Sequence, residues 1–350
     1  MRRTPRNGIY RMPAEWERQK STWIAWPHNE DDWPGKFNGI PWVFSKIVSE
    51  ISKVQKVNIL VKDNTDKKKA IFFLKTLNTN LKKIRLIICK TDRAWTRDYL
   101  PIFLKNDKNR NILSNWEFNA WAKYKNFKKD NKAYLKVQKL KKIEIIKPKH
   151  NGKKIVLEGG SIDVNGDGLL LTTKQCLLSK VQQRNKGFYK HDYNQIFHKF
   201  FGIRKVIWLN KGIYGDDTHG HIDDIARFVS KNKIFIAKEF NRKDKNFKNL
   251  KENLEIIKKF NRENSEKIKI INIPMPKPKL IDGIRVPASY LNFYILNKIV
   301  LVPTFNDTND KIILKIFKKH FKNRNIVPVD SSILVWGFGT IHCMTQQEPF

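Results

Sequence analysis

Four short polar clusters interrupt otherwise apolar stretches of this 350-residue chain. They are residues 95–98 (WTRD), 158–161 (EGGS), 216–224 (DDTHGHIDD) and 337–343 (GFGTIHC). Acids, histidines and cysteines of this kind are costly to bury unless they have partners or a task. The four clusters therefore indicate a site where chemistry takes place.

Cys343 is the candidate nucleophile. We predict a strand over residues 333–336, and Gly337 and Gly339 then allow a sharp turn that presents Cys343 to a cavity. A cysteine attacks only as its thiolate, so it needs positive charge nearby. His342 is a poor partner, because neighbours in an extended segment face opposite sides. Taken alone, this spacing favours a small buried thiol.

His219, His221 and Asp223 alternate, so in a strand they would share one face. Two chemistries fit that face. The three side chains could bind zinc with Cys343 as a further ligand, and the metal would activate water. Alternatively, His221 transfers protons while Asp223 binds a cationic substrate. A solvated polar turn is the alternative for the flanking acids, and we expect it for Asp224.

Two further acids follow apolar or aromatic residues. Glu158 comes after the apolar run 155–157 and before two glycines, where a carboxylate caps a turn or faces a site. Asp98 follows Trp95, and a simple ion pair with an arginine is its alternative. Acids, a histidine and a cysteine that all end apolar segments favour an active site.

These residues need elements to position them, and the chain alternates short apolar strands with helices. Period-two and apolar runs predict strands over residues 57–61, 84–89, 154–157, 168–172, 205–209, 225–229, 234–236, 268–273, 290–296, 299–303, 326–329 and 333–336. Helical periodicity predicts helices over 43–53, 67–77, 193–200, 247–261 and 311–321, with a short one near 133–140. The order indicates about five α/β modules in one domain over residues 1–350, with no linker. Modules that circle an axis would bring the polar clusters together.

Charge and cysteine content limit the function classes. Lys and Arg number 70 against 33 Asp and Glu, which gives a net charge of +37 and some affinity for polyanions. Since no nucleic-acid-binding motif occurs, we interpret the excess as compositional drift and expect no specific nucleic-acid partner. Cys89, Cys176 and Cys343 show no disulfide or zinc-knuckle spacing. No segment resembles a signal peptide or membrane span, so we expect a cytoplasmic protein.

Motifs along nearly the whole chain carry a resemblance to a known family. They are residues 12–17 (MPAEWE), 22–27 (TWIAWP), 95–98, 118–121 (FNAW), 158–161, 215–223, 288–294 (ASYLNFY) and 341–347 (IHCMTQQ). In number, order and spacing they resemble the agmatine deiminases and bacterial-type peptidylarginine deiminases. The resemblance implies a five-bladed α/β propeller (the pentein fold) built from ββαβ modules around a pseudo-fivefold axis.

The resemblance also implies roles for the polar residues. Asp98 and Asp223 match the carboxylates that bind the guanidinium, and Glu158 matches the acid that orients His221. His221 matches the general acid and base, and Cys343 the nucleophile. Two further residues match positions that line the pocket and receive the far end of the substrate: Trp95 and Asp217.

The implied reaction is hydrolysis of agmatine to N-carbamoylputrescine and ammonia through a cysteine thiouronium, which would serve putrescine and polyamine synthesis. It needs no cofactor or metal, and the family often forms homodimers. Deimination of peptidyl-arginine or free arginine is the alternative within enzymes. A basic nucleic-acid-binding protein whose catalysis has lapsed is the alternative from another class.

Three places depart from the family pattern. Tyr99 and Leu100 replace a residue pair that usually includes glycine, and His219 stands where an acid or amide is usual. Residues 337–340 read Gly-Phe-Gly-Thr, with Phe338 and Thr340 as the departures, where the family usually has Gly-Gly-Gly-Asn. No catalytic group is lost, so we expect the chemistry to be retained. All three departures are expected beside the pocket, where they bear on how strictly agmatine is selected.

Overall fold

The computed structural model describes residues 10–350. Its strands are β1 Tyr10–Arg11, β2 Gln19–Ala25, β3 Lys56–Val61, β4 Ile84–Ile88, β5 Ile102–Asn106, β6 Asn111–Ser114, β7 Ile145–Ile146, β8 Lys149–His150, β9 Lys153–Lys154, β10 Asp163–Val164, β11 Leu169–Thr173, β12 Lys205–Leu209, β13 Ala226–Ser230, β14 Lys233–Lys238, β15 Lys269–Pro274, β16 Lys279–Ile281, β17 Ile284–Val286, β18 Tyr294–Ile295, β19 Ile299–Thr304, β20 Asn325–Asp330 and β21 Gln346–Pro349. Its α-helices are α1 Ile40–Val54, α2 Asn64–Thr76, α3 Thr96–Tyr99, α4 Tyr134–Lys141, α5 Lys174–Leu178, α6 Lys190–Phe201, α7 Phe247–Glu263 and α8 Asp310–His320.

Five mixed sheets of three or four strands organise the part of the chain that the structure describes. Their strand orders are β1-β5-β6-β7, β10-β11-β12, β13-β14-β15, β18-β19-β20 and β21-β2-β3-β4, and β8-β9 and β16-β17 form separate hairpins. Each sheet combines antiparallel pairing with at least one parallel pair. In one example, β13 and β14 form a hairpin, and α7 carries the chain to β15 parallel to β14. Such crossovers are what parallel neighbours require.

Amphipathic helices cover these sheets. Helix α7 buries Leu250, Leu254 and Ile257, whose spacing places them on one face. Helix α8 buries Phe317, whose ring centroid lies 5.0 Å from that of Phe235 in β14. Among residues 10–350, no helix has both the length and the apolar character that crossing a membrane requires.

Most of the predicted elements are confirmed, including all six helices and the strands that became β3, β4, β11, β12, β14, β15, β19 and β20. Three predicted strands are wrong in whole or part. Residues 333–336 fall mainly in a 3-10 helix, Leu334–Gly337. Over residues 154–157, the ladder is reduced to Lys154 in β9 and one bridge from Val156 to Glu117. The strand predicted over 290–296 is only Tyr294–Ile295. Short apolar runs do not by themselves distinguish strands from buried turns.

The polar clusters occupy equivalent places in the five sheets. Each lies in a turn immediately before the first strand of a hairpin or edge pair, and not after a strand as predicted. Four of these turns belong to the polar clusters, namely residues 96–99 before β5, 158–161 before β10, 221–224 before β13 and 341–344 before β21, and a fifth polar turn, 289–292, precedes β18. Every one of the five sheets therefore contributes one polar turn.

One tight turn has an unusual backbone. Ala120, Trp121 and Ala122 have φ angles of 50°, 58° and 53°, which is three successive left-handed residues without a glycine. The Asn119 side chain accepts a hydrogen bond from the Ala122 amide at 2.9 Å and holds the turn. A left-handed conformation costs roughly 1–2 kcal/mol for a residue with a Cβ. The fold therefore maintains local strain here.

We expect Ala122→Gly to raise the free energy of unfolding by about 0.5–1 kcal/mol, because relief of the left-handed strain exceeds the entropy that glycine adds to the unfolded chain. Denaturant titration measures the change. The matched control is Ala70→Gly within α2, where glycine should lower stability by about 1 kcal/mol. A loss of stability in both variants would contradict the strain assignment.

Candidate active site

A cavity of about 500 Å³ reaches two of the polar turns, at Asp98 and Cys343. Its lining includes Trp95, Asp98, Trp121, Asp217, Phe338 and Cys343. Acidic side chains outnumber basic ones there, since Asp31, Asp32, Asp98 and Asp217 accompany one arginine, Arg93. A cavity with this lining attracts cations, although the protein as a whole carries a charge of +37.

Cys343 lies in the turn 341–344, which α3 supports. The Arg97 amide donates to the Cys343 carbonyl at 3.1 Å, and the Thr96 hydroxyl donates to the Met344 carbonyl at 2.8 Å. A Cβ at position 339 would lie 3.3 Å from the Cys343 sulfur, so glycine leaves room beside it. The sulfur itself lies 3.1 Å from Asn292 Nδ2 and 3.7 Å from Asp223 Oδ2.

Asp98 is fully enclosed and bonded on both oxygens. Its Oδ1 accepts from the Gly160 amide at 3.0 Å, and its Oδ2 accepts from the Trp121 indole at 2.9 Å. The left-handed turn at Trp121 thus places the indole N–H where it donates to Asp98. Burial raises the pKa of Asp98 to about 6, with Asp223 and Glu158 adding to the rise and His221 opposing it. The simple arginine pair considered for Asp98 is wrong, since Arg97 approaches Glu15 at 3.5 Å.

His221 lies at the centre of the acids. Its Nδ1 is 3.9 Å from Asp98 Oδ1 and 4.0 Å from Asp223 Oδ1, and its Nε2 is 4.0 Å from Glu158 Oε2. A Cβ at Gly160 would lie 2.6 Å from the His221 ring, so only glycine fits there. Burial alone would lower the pKa of His221, but Asp98 and further neighbours outweigh it and raise that pKa well above 6.5.

Glu158 is held from behind by a buried arginine. Arg184 Nε donates to Glu158 Oε1 at 2.9 Å, and both side chains are 0% exposed. The other guanidinium nitrogens of Arg184 bond the carbonyls of Gln182 and Thr218. Arg184 therefore fixes one oxygen of Glu158 and leaves Oε2 directed at His221.

Several buried polar atoms around this centre have no hydrogen-bond partner among residues 10–350. They are Glu158 Oε2, Asp223 Oδ1 and both ring nitrogens of His221. An unpaired buried polar group costs roughly 1–3 kcal/mol. Two of the four are carboxylate oxygens that can only accept hydrogen bonds when ionised. The centre is therefore built to receive a group that carries several N–H donors and positive charge.

Asp224 and His219 differ from the sequence-based expectations. Asp224 is 3% exposed and accepts from Asn292 Nδ2 at 3.0 Å, so the solvated turn expected for it is wrong. Burial raises the pKa of Asp224 well above its usual value, and Asp223 and Asp216 add to the rise. His219 has a φ of 64° and its Nε2 contacts the Ser179 hydroxyl at 3.1 Å.

The shared strand face expected for His219, His221 and Asp223 does not exist, because Ile222–Asp224 is a 3-10 helix. The zinc set that included Cys343 is therefore not assembled. Among residues 10–350, the one group of potential ligand atoms within 4.8 Å of one another is Glu158, Cys176 and His221. That group excludes three of the four residues in the zinc hypothesis.

Asn292 is a functional residue that the residue patterns did not single out. Its Nδ2 contacts the Cys343 sulfur and Asp224, while its Oδ1 accepts from Thr340 Oγ1 at 2.8 Å and from the His342 amide at 3.0 Å. Thr340, one departure from the family pattern, thus supports the nucleophile turn. Asn292 lies in the motif 288–294, so the family resemblance was the sequence signal that could have identified it.

The other departures have different surroundings. Tyr99 and Leu100 are buried in the core, and the Tyr99 hydroxyl donates to the Arg93 carbonyl at 3.1 Å. Phe338 has a φ of 61° and lines the cavity. Of these three, only Phe338 can contact a molecule bound in the cavity.

Asp217 and Trp95 both line the cavity, as expected from the resemblance. The Asp217 carboxylate pairs with the Lys123 ammonium and accepts from the Tyr124 hydroxyl at 2.7 Å. The Trp95 ring lies 5.2 Å from that of Trp33, which places it firmly against the core. Asp217 is therefore already neutralised by a lysine, a contact that the sequence did not reveal.

The chain is similar to several proteins that are named as deiminases. A family model described as Porphyromonas-type peptidyl-arginine deiminase matches residues 11–349. A Mycoplasma capricolum protein named "Putative agmatine deiminase" is 31% identical, over 100% of this chain and 98% of its own. An Enterococcus faecalis agmatine deiminase structure has a TM-score of 0.89 at 28% identity, over 97% and 96% of the two chains. A C. jejuni agmatine deiminase structure with substrate bound has a TM-score of 0.86 at 29% identity, over the same shares.

Fold, site and relatives together define an α/β enzyme of the class that hydrolyses linear amidines. Within that class, the chain belongs to the Porphyromonas-type peptidyl-arginine deiminase family, whose model spans all but its ends. The family resemblance seen in the sequence is confirmed.

The free protein should hold Cys343 as a thiol. Burial raises the pKa of Cys343 well above 9.0, and Asp223, Asp224 and Asp98 raise it further. We therefore expect the rate of alkylation by iodoacetamide, followed by mass spectrometry of the Cys343 peptide, to keep increasing beyond pH 9. A rate that levels off near neutral pH would show a preformed thiolate and contradict this electrostatic account.

Proposed function

We propose that the protein hydrolyses agmatine to N-carbamoylputrescine and ammonia, with Cys343 as nucleophile and His221 as acid and base. The unpartnered atoms around His221 are the observation that carries the proposal. A guanidinium is a planar cation with N–H donors in a fixed fork, and it fits carboxylates on two sides. Asp98, Asp223 and Glu158 offer such carboxylates around His221, and Asp98 and Cys343 line the cavity.

Substrate binding would activate the nucleophile. Three aspartates keep Cys343 protonated in the free protein. A guanidinium bound between Asp98 and Asp223 offsets their negative charge and lowers the pKa of the thiol. The thiolate therefore forms mainly when substrate is present, beside the carbon that it attacks.

The chemistry then follows in two halves. The sulfur attacks the guanidinium carbon and forms a C–S bond, and the tetrahedral adduct loses one amino group as the C–N bond breaks. His221, which carries a proton because its pKa is raised, protonates that group, which leaves as ammonia. His221 next takes a proton from water, whose oxygen attacks the thiouronium carbon. The C–S bond breaks, and the ureido product leaves with the thiolate restored.

The outer cavity favours agmatine over free arginine. Agmatine carries a second cation where arginine also carries a carboxylate. Asp31, Asp32 and Asp217 line that part of the cavity, and its one arginine, Arg93, already bonds Asp32 at 2.6 Å. A substrate carboxylate would therefore meet more repulsion than attraction.

We propose further that the five sheets are the blades of a five-bladed α/β propeller that forms a single domain. The five equivalent turns support this arrangement, because each supplies a residue to one centre. Those residues are Asp98, Glu158, His221, Asn292 and Cys343. A reducing cytoplasm, which preserves a free thiol at Cys343, is the compartment that suits the reaction.

Ammonia release from agmatine, free arginine and a peptidyl-arginine tests the function. We expect agmatine to give the highest kcat/KM, Cys343→Ser to be nearly inactive, and a chelator to leave the rate unchanged. Cys89→Ser, which alters a buried thiol outside the cavity lining, is the control. A peptide preferred over agmatine would overturn the substrate assignment, and loss of activity with chelator would overturn the metal-free reaction.

Removal of the Lys123 ammonium should improve agmatine binding, because Lys123 competes with the far end of the substrate for Asp217. We expect Lys123→Met to lower the KM for agmatine by about two- to fivefold, a range set by the small energies of partly exposed ion pairs. Lys125→Met removes the same charge from a neighbouring exposed position and should leave KM unchanged. An equal fall in both variants would indicate a general charge effect and exclude direct competition at Asp217.

A further inference from the structure

His342 lies next to Asp223, one of the acids proposed to bind the substrate, and it bridges Asp223 to a second acid, Glu15. Its Nδ1 is 2.7 Å from Asp223 Oδ2, and its Nε2 is 2.8 Å from Glu15 Oε2. The ring is 2% exposed, so these contacts are shielded from water. His342 precedes Cys343 in the chain, and its ring is linked to the Cys343 sulfur through Asp223, whose Oδ2 contacts both.

The two contacts determine the protonation state of the ring. A neutral imidazole has one N–H donor, but both ring nitrogens of His342 meet carboxylate oxygens, which accept when ionised. Glu15 is ionised: burial would raise its pKa, but Arg227, 2.9 Å away, and His342 itself outweigh burial and hold that pKa well below its usual value. Only an imidazolium can donate to both carboxylates at once.

The contact also leaves Asp223 with one occupied and one free oxygen. Oδ2 accepts from His342, while Oδ1 faces His221 and has no partner among the described residues. Burial would raise the pKa of Asp223, but the hydrogen bond and charge of His342 are the largest opposing influences and keep it low. Without His342, Asp223 would keep His221, Arg227 and Arg97 as cations to set against burial and against Asp98 and Asp224.

We propose that His342 is a positioning residue of the deiminase reaction: its imidazolium, held by Glu15, keeps Asp223 ionised and oriented with Oδ1 free for a guanidinium N–H. The inference rests on the proposed function for its catalytic consequence. Its structural part, an imidazolium between two carboxylates, stands independently of the substrate.

The backbone at position 342 does not depend on the ring. The His342 amide donates to Asn292 Oδ1 at 3.0 Å, and its carbonyl accepts from the Thr345 amide at 3.1 Å. A side-chain substitution therefore tests the imidazole without removing the bonds that form the nucleophile turn. His342→Gln keeps a hydrogen-bond donor of similar reach and removes the positive charge.

Kinetics of His342→Gln give the first test. We expect kcat/KM for agmatine to fall about 10- to 100-fold, the range for loss of a charge-assisted hydrogen bond. The acidic limb of the pH profile should also move to higher pH. Asp223 must be ionised to bind substrate, and loss of the neighbouring cation raises its pKa, so activity is lost at a higher pH than in the parent.

His150→Gln is the matched control, because His150 also bonds a carboxylate, Asp192, at 2.7 Å, but outside the cavity lining. It should leave kcat/KM and the acidic limb unchanged. A purely structural role for His342 would reduce the active fraction without moving the limb. An unmoved limb in His342→Gln would therefore overturn the proposal.

NMR of protein labelled with ¹⁵N-histidine gives a test that needs no substrate. We expect two histidines, His221 and His342, to carry protons on both ring nitrogens at neutral pH, and the signals of one of them to vanish in His342→Gln while both sets persist in His150→Gln. A neutral tautomer at His342 would overturn the inference even in an active enzyme. A parent protein that releases no ammonia from agmatine would instead refute the proposed function, while the NMR result would still decide the charge of His342.

Discussion

The constraint on which this site depends is uncompensated negative charge in a closed space. Asp98, Asp223 and Glu158 surround His221 at about 4 Å, and the inner oxygens of Glu158 and Asp223 lack protein partners among the residues described. Burying such groups is unfavourable unless a cation completes them. Burial and the same charge raise the pKa of Cys343, and this charge raises the pKa of His221 against the effect of burial. Under the proposed function, the thiolate forms when a cation binds, and His221 supplies the proton for the leaving group.

Buried cations on the far side of the acids reduce the free-energy cost of burying them. Arg184 holds the outer oxygen of Glu158, and His342 holds the outer oxygen of Asp223. Behind His342, Glu15 contacts Arg227 and Arg97. Among the described residues, Glu158 and Asp223 are thereby each bonded on one oxygen and without a partner on the other, whereas both oxygens of Asp98 are bonded. The cations fix the orientation of the acids without occupying the cavity. Residues that contact a ligand need such rigid support from the residues behind them.

Much of this organisation could be predicted from the sequence, for identifiable reasons. Apolar periodicity located helices such as α7 and α8 and most central strands, because their buried faces repeat regularly. It failed at residues 155–157 and 333–336, where short apolar runs fill turns instead of strands. The polar clusters and their family resemblance located Asp98, Glu158, His221 and Cys343. The part played by His342 could not be predicted, since it depends on contacts with Asp223 and Glu15, which are 119 and 327 residues away.

The most direct test of the central claim is calorimetric binding to Cys343→Ser, which keeps the acids and cannot complete the reaction. Agmatine and putrescine should be compared, because they share a four-carbon chain and an ammonium and differ in the guanidinium. We expect agmatine to bind at least about tenfold more tightly than putrescine, because only its planar guanidinium fork can pair with both Asp98 and Asp223. Equal affinities for the two ligands would contradict it, because they would show that the buried acids recognise charge alone.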